Sequence, residues 1–88
     1  MPAIPRKTIS DTSSLILNTD INRESILIRC LGDDTFFGFQ AEAVVNEGIF
    51  LKTGEGLRVD GNKAKGLVYA ICPSGKTSEL YIETTNTF

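Results

Sequence analysis

Apolar residues arrive in short bursts instead of at helical spacing: Leu15-Ile16-Leu17, Ile26-Leu27-Ile28 with Cys30, Phe36-Phe37 with Phe39, Ala43-Val44-Val45, Ile49-Phe50-Leu51, Leu57 with Val59, Leu67 through Cys72, and Leu80 with Ile82. Between them stand turn formers: Asn18-Thr19-Asp20, Gly32-Asp33-Asp34, Asn46-Glu47-Gly48, Thr53-Gly54-Glu55-Gly56, Asp60-Gly61-Asn62 and Pro73-Ser74-Gly75. Each burst has strand length, and each break carries residues that favour turns. The pattern predicts an all-β fold, a small antiparallel β-sandwich or jelly-roll-like barrel of seven to eight short strands. No segment offers a helix of useful length. Residues 41–45 are the ambiguous stretch, since Ala and Glu tolerate a helical turn while paired valines prefer a strand.

Alternation within the bursts nominates the core. Ile26, Ile28 and Cys30 share one strand face; Leu80 and Ile82 share another, opposed by Glu79, Tyr81 and Glu83, and the two apolar faces are expected to meet. Adjacent Phe36 and Phe37 must point to opposite sides of a strand, so at least one is expected to be buried only by a partner subunit or by a strand from the arm; both are candidate oligomer-interface residues. The remaining aromatics, Phe39, Phe50, Tyr69, Tyr81 and Phe88, are expected in the core in preference to a sugar-binding platform.

Residues 1–12 show neither period. With Pro2 and Pro5 they predict an extended N-terminal arm preceding a single sandwich domain over residues 13–88. The arm is the candidate partner-binding element, through Pro2, Ile4, Pro5, Arg6 and Lys7: the prolines lower the entropy lost on docking, and the two cations stand out in a net-acidic chain.

At 88 residues the chain suits one domain, whose core is marginal without disulfides, metal or self-association. No apolar run approaches the roughly 20 residues of a membrane helix. Arg6 and Lys7 are followed by polar residues, so no secretory signal is expected and the chain reads as made in the cytoplasm. Nine Lys and Arg against eleven Asp and Glu leave a net charge of −2, the wrong sign for phosphate neutralisation, so no nucleic-acid partner is expected. The absence of histidine removes the commonest general base and the usual zinc ligand sets. No catalytic, cofactor-binding or metal-binding residue is assigned, and no enzyme activity is expected. Cys30 and Cys72 each end an apolar run and read as buried free thiols.

Three motifs have ordinary explanations. The run from Ala70 to Thr77 satisfies the permissive phosphate-loop pattern ending Gly75-Lys76-Thr77, but that motif acts through a helix N-terminus, and Glu79 to Thr84 alternate like a strand. Pro73-Ser74-Gly75-Lys76 is therefore expected to be a hairpin turn. Gly54-Glu55-Gly56 lacks the third glycine of a dinucleotide fingerprint, because Val59 occupies its place. Asp33-Asp34 and Asp60-Gly61-Asn62 offer oxygen ligands without the spacing of a calcium loop.

Taken in order, several segments carry a resemblance: Thr12-Ser13-Ser14 leading into Leu15-Ile16-Leu17, Asn22-Arg23 before Ile26-Leu27-Ile28, Gly48-Ile49-Phe50-Leu51, Gly54-Glu55, and Gly66-Leu67-Val68-Tyr69-Ala70-Ile71 before Ser74-Gly75. Over about Thr12 to Glu83 the chain resembles small tailed-bacteriophage virion proteins, β-sandwich modules of capsid-decoration or head-fibre type that are often trimeric. It departs from them at Arg29-Cys30, where an asparagine is usual, and at Cys72, where a small residue is common. The resemblance implies a structural protein of the virion that forms a homotrimer, a dimer being second, and binds the major capsid protein or another virion protein at the capsid surface. A head-fibre, tail or baseplate module is the alternative within the particle. A carbohydrate-binding sandwich is the rival from another class, and a nucleotide-binding fragment a third.

Overall fold

The computed structural model describes the backbone of residues 3–86 and the side chains of residues 6–85. Eight strands follow in order: β1 (Ala3–Ile9), β2 (Ser14–Leu17), β3 (Arg23–Cys30), β4 (Thr35–Phe39), β5 (Ile49–Leu51), β6 (Gly56–Asp60), β7 (Val68–Ile71) and β8 (Ser78–Asn86), with one 3-10 helix over Gly61–Lys65. They form two four-stranded sheets, ordered β1-β8-β3-β6 and β2-β7-β4-β5, and every pair is antiparallel.

The order has a simple physical origin. The chain doubles back between β4 and β5, and from there pairs β4 with β5, β3 with β6, β2 with β7 and β1 with β8, as one long antiparallel ribbon. Rolling the ribbon brings β3 beside β8 and β4 beside β7, which closes the two sheets. This is the strand order of an eight-stranded jelly roll, and it meets the all-β, eight-strand expectation.

The core lies between the sheets. Ile26, Ile28, Cys30, Leu80 and Ile82 point inward from the first sheet and are fully buried; Phe37, Val68, Ala70 and Leu51 meet them from the second. The two apolar faces expected to meet do so side by side in one sheet, Ile28 opposite Ile82 and Cys30 opposite Leu80. Their counterpart is the Phe37, Val68 and Ala70 layer.

Three expectations change. Residues 3–9 are not an arm detached from the sandwich: they are its edge strand, paired to β8 with a bulge between Ile4 and Lys7. An edge strand needs main-chain hydrogen bonds and few anchors, so an absent period does not forbid it. Ile9, fully buried, is the anchor the core supplies, and Cys72 N–H donates to the Ser10 carbonyl at 2.9 Å just beyond it. Second, Ala43-Val44-Val45 form neither strand nor helix but part of the loop joining β4 to β5. A Cβ on Gly38 would stand 2.5 Å from the Ala41 carbonyl oxygen, so the chain leaving β4 folds directly back over Gly38, which only glycine permits. Third, Pro73 to Lys76 is a turn, closed by Lys76 N–H to the Pro73 carbonyl at 3.0 Å with Gly75 at φ +78°, but it is no hairpin, because it carries the chain from β7 in one sheet to β8 in the other.

One buried charge holds the end of the sandwich beside the 3-10 helix. Arg23, only 4% exposed, donates Nε to the Ala64 carbonyl and Nη2 to the Gly66 carbonyl at 2.9 Å. Lys65 Nζ returns a bond to the Arg23 carbonyl at 2.8 Å. Burial lowers the guanidinium from its ordinary value, and Asp20 opposes that shift. The guanidinium thus closes the carbonyls that the last turn of the helix leaves open. Arg23→Ala should cost about 3 kcal/mol in chemical denaturation, since two buried carbonyls lose their donors; a loss below about 1 kcal/mol would show that water replaces the guanidinium there. Removing the exposed Arg6–Glu79 pair by Arg6→Ala should change stability by less than about 0.5 kcal/mol.

Candidate assembly surface

In each sheet the inward residues are apolar, so what distinguishes the two sheets is the outward face. On the first sheet that face is mainly polar: Glu79, Tyr81 and Glu83 on β8, Arg29 on β3, Arg58 and Asp60 on β6, with Leu27 of β3, 42% exposed, the apolar exception. Arg58 and Asp60 pair along one strand, Nε to Oδ1 at 3.2 Å. This is the alternation expected of a sheet facing water.

On the second sheet the outward face is apolar. Register places Phe50, Phe36 and Ile71 in one row across β5, β4 and β7, and Gly38, Tyr69 and Leu15 in the next row across β4, β7 and β2. Phe36 and Phe50 stack with centroids 4.7 Å apart and planes inclined by 24°, and Phe50 is 37% exposed. Beside them runs a shallow groove of about 590 Å³ lined by Phe36, Phe50, Val45 and Pro73, with Asp34 and Asn46 at its polar margin.

The expected interface pair is therefore divided. Phe37 is 1% exposed and lies in the protein's own core, which removes it from any interface; its neighbour Phe36 faces outward, as adjacent strand residues must. Phe50, Ile71, Tyr69 and Leu15 join Phe36 without having been singled out as a surface, because only cross-strand register reveals that they share a face. Phe39 is partly buried against the core. Phe88 and Pro2 lie outside the described residues, as do the side chains of Ile4 and Pro5. Arg6 and Lys7 are exposed on β1, Arg6 Nη1 reaching Glu79 Oε1 at 3.2 Å.

The sheet edges are poorly suited to strand addition. β1 carries a bulge and the charges of Arg6 and Lys7, β2 has a register break between Leu15 and Leu17, and β5 is three residues long. These features blunt edges in other β proteins. The fourth edge, β6, presents Arg58 and Asp60 and runs straight into the 3-10 helix.

The motif residues occupy turns. Strand β8, not a helix, follows Gly75-Lys76-Thr77, and Gly75 N–H is already occupied by Asp11 Oδ2 at 3.0 Å. Among the described residues no group of three or more Cys, Asp or Glu side chains is placed to hold a metal ion, and no buried side-chain nitrogen or oxygen lacks a partner. Comparison with known proteins yields no match to a family model, to a curated protein or to a solved structure.

Two experiments separate core from surface and turn from site. Phe37→Ala should cost about 4 kcal/mol by cavity formation, whereas Phe50→Ser in a monomeric sample should cost less than about 1.5 kcal/mol; equal losses would place Phe50 in the core as well. Lys76→Ala should leave the unfolding midpoint unchanged, and titration of the unmodified chain with magnesium and ATP should release no heat; micromolar affinity would restore the phosphate-loop reading.

Proposed function

We propose that this protein is a non-enzymatic structural module that self-associates through the outer face of its β2-β7-β4-β5 sheet. The observation that carries the reading is the contrast between the two outer faces, one charged and one lined by Phe36, Phe50, Tyr69, Ile71 and Leu15. A contiguous apolar face that is exposed at Phe50 and half-buried at Phe36, Tyr69, Ile71 and Leu15 still leaves apolar area in water, and burying it against other copies removes that cost. Association through a face also agrees with edges that resist strand pairing.

The biological setting we propose follows from the resemblance to small phage virion proteins: a capsid decoration protein, homotrimeric, made in the host cytoplasm and bound to the major capsid protein or another virion protein at the capsid surface. Many weak contacts repeated by particle symmetry bind collectively, which suits a module of this size. The jelly-roll topology supports the setting only by analogy, because the same fold serves lectin domains. A head-fibre, tail or baseplate position uses the same surface.

A second reading has its own observation. The groove beside Phe50 sets an aromatic ring near Asp34 and Asn46, an arrangement that can stack on a sugar ring while hydrogen-bonding its hydroxyls.

Light scattering on the eluting peak at roughly tens of micromolar protein should give a trimer, with Phe36→Glu/Phe50→Glu reducing it to a folded monomer. A monomeric unmodified protein would sink the association reading. In purified virions, mass spectrometry should find the chain at a copy number in fixed proportion to the capsid protein. Oligosaccharide-induced shifts of Phe50 and Asn46 resonances would move the assignment to sugar binding.

A further inference from the structure

Apart from Arg23 and Ser25 at the other end of β3, the buried polar side chains gather around two thiols. Cys30, ending β3 in one sheet, and Cys72, following β7 in the other, are both fully buried and both free. The Thr35 hydroxyl lies between them, 3.6 Å from Cys30 Sγ and 3.8 Å from Cys72 Sγ. Ser78 Oγ stands 3.5 Å from Cys30 Sγ, and the Asp33 and Ile9 carbonyls accept from the Cys30 and Cys72 thiols at 3.2 and 3.8 Å.

We propose that Cys30 and Cys72 are a disulfide-forming pair, an oxidative modification site that can staple the two sheets together across the sandwich. Two thiols from opposite sheets share one small hydroxyl, that of Thr35, and both lie in the same buried cluster. This inference is independent of the assembly reading.

The chemistry is thiol–disulfide exchange with a small-molecule disulfide. One protein thiol loses its proton and its sulfur attacks a sulfur of the reagent, forming a mixed disulfide and expelling one thiolate. The second protein sulfur, deprotonated in turn, attacks the protein sulfur of that mixed disulfide and expels the other half of the reagent. The protein loses two protons and two electrons, which together reduce the reagent to two thiols. Burial pushes the Cys72 thiol up, aided by repulsion from Cys30, Asp33 and Asp11 and opposed by the Thr35 hydrogen bond, so the closed state is unreactive. Access requires local opening. The cover over Cys72 includes Ile9, the last residue of edge strand β1, and the cover over Cys30 is the Gly32-Asp33 turn, both at the periphery of the sandwich.

Once made, the bond constrains the unfolded chain between β3 and β7. The test uses the full chain, purified reduced and incubated with excess oxidised glutathione at temperatures up to just below its unfolding midpoint. Intact mass should fall by two hydrogens with no glutathione retained, and both thiols should disappear together in a titration under denaturing conditions. The unfolding midpoint should rise by on the order of 10 °C and return after reduction. Cys30→Ser and Cys72→Ser should each abolish the gain. The inference is overturned by retained glutathione adducts, by a disulfide between chains, by thiols that stay unreacted throughout, or by an internal disulfide that lowers the midpoint; these readouts on the unmodified chain hold even if a serine variant fails to fold.

Discussion

The fold depends on the inward face of β3. It is hydrogen-bonded on both sides, to β8 and to β6, and its Ile26, Ile28 and Cys30 have no exposure. Because side chains alternate strictly, a slip of one residue in either pairing would drive Leu27 and Arg29 inward and turn three core residues out. The register of β3 therefore sets the register of β8, where Leu80 and Ile82 must stay beside it. Through β8 it also positions β1, which has Ile9 as its buried anchor. The same register decides which residues face out, so the polar surface of one sheet follows from the packing of its interior.

The sequence made this half of the structure legible. Alternation through Ile26-Ile28-Cys30 and Leu80-Ile82 is a local signal, and glycine-rich breaks mark the ends of the strands. Connectivity was not legible, since pairing β1 with β8 and β2 with β7 joins segments near opposite ends of the chain through main-chain bonds that no side-chain pattern announces. The loop after β4 was missed for a different reason: Val44-Val45 favour a strand by residue type, but the chain reverses just before them, bringing the Ala41 carbonyl over Gly38, and no side-chain pattern marks that reversal. Arg23 gave no signal either, being a charged residue in a strand whose partners are carbonyls of a helix that turn composition disguised. For the surface, adjacency established that Phe36 and Phe37 differ in direction, while only the identity of the strands on either side showed which one is buried.

Geometry narrows how copies can meet. Extending a sheet from molecule to molecule needs an edge with free, regular main-chain groups, and here bulges, charges and short strands interrupt the edges. The apolar rows together cross the whole sheet, Phe50, Phe36 and Ile71 over β5, β4 and β7 and Tyr69 and Leu15 over β7 and β2, with the groove beside Phe50 at the β5 edge.

A chain of this length buries a smaller fraction of its surface than a larger domain does, so its margin of stability is thin and each additional constraint counts. Self-association and an internal cross-link act on different states. Association lowers the free energy of the folded form and depends on concentration, so it is strongest where copies are held close together and weakest for a released molecule. A bond between Cys30 and Cys72 instead restricts the unfolded chain and is indifferent to dilution. They also draw on separate parts of the structure, since the thiols lie inside the sandwich while Phe36 and Phe50 lie on its outer surface. Residues kept on the outer face for the proposed association cannot also be added to the core, and the proposed cross-link would strengthen the domain without taking anything from that face.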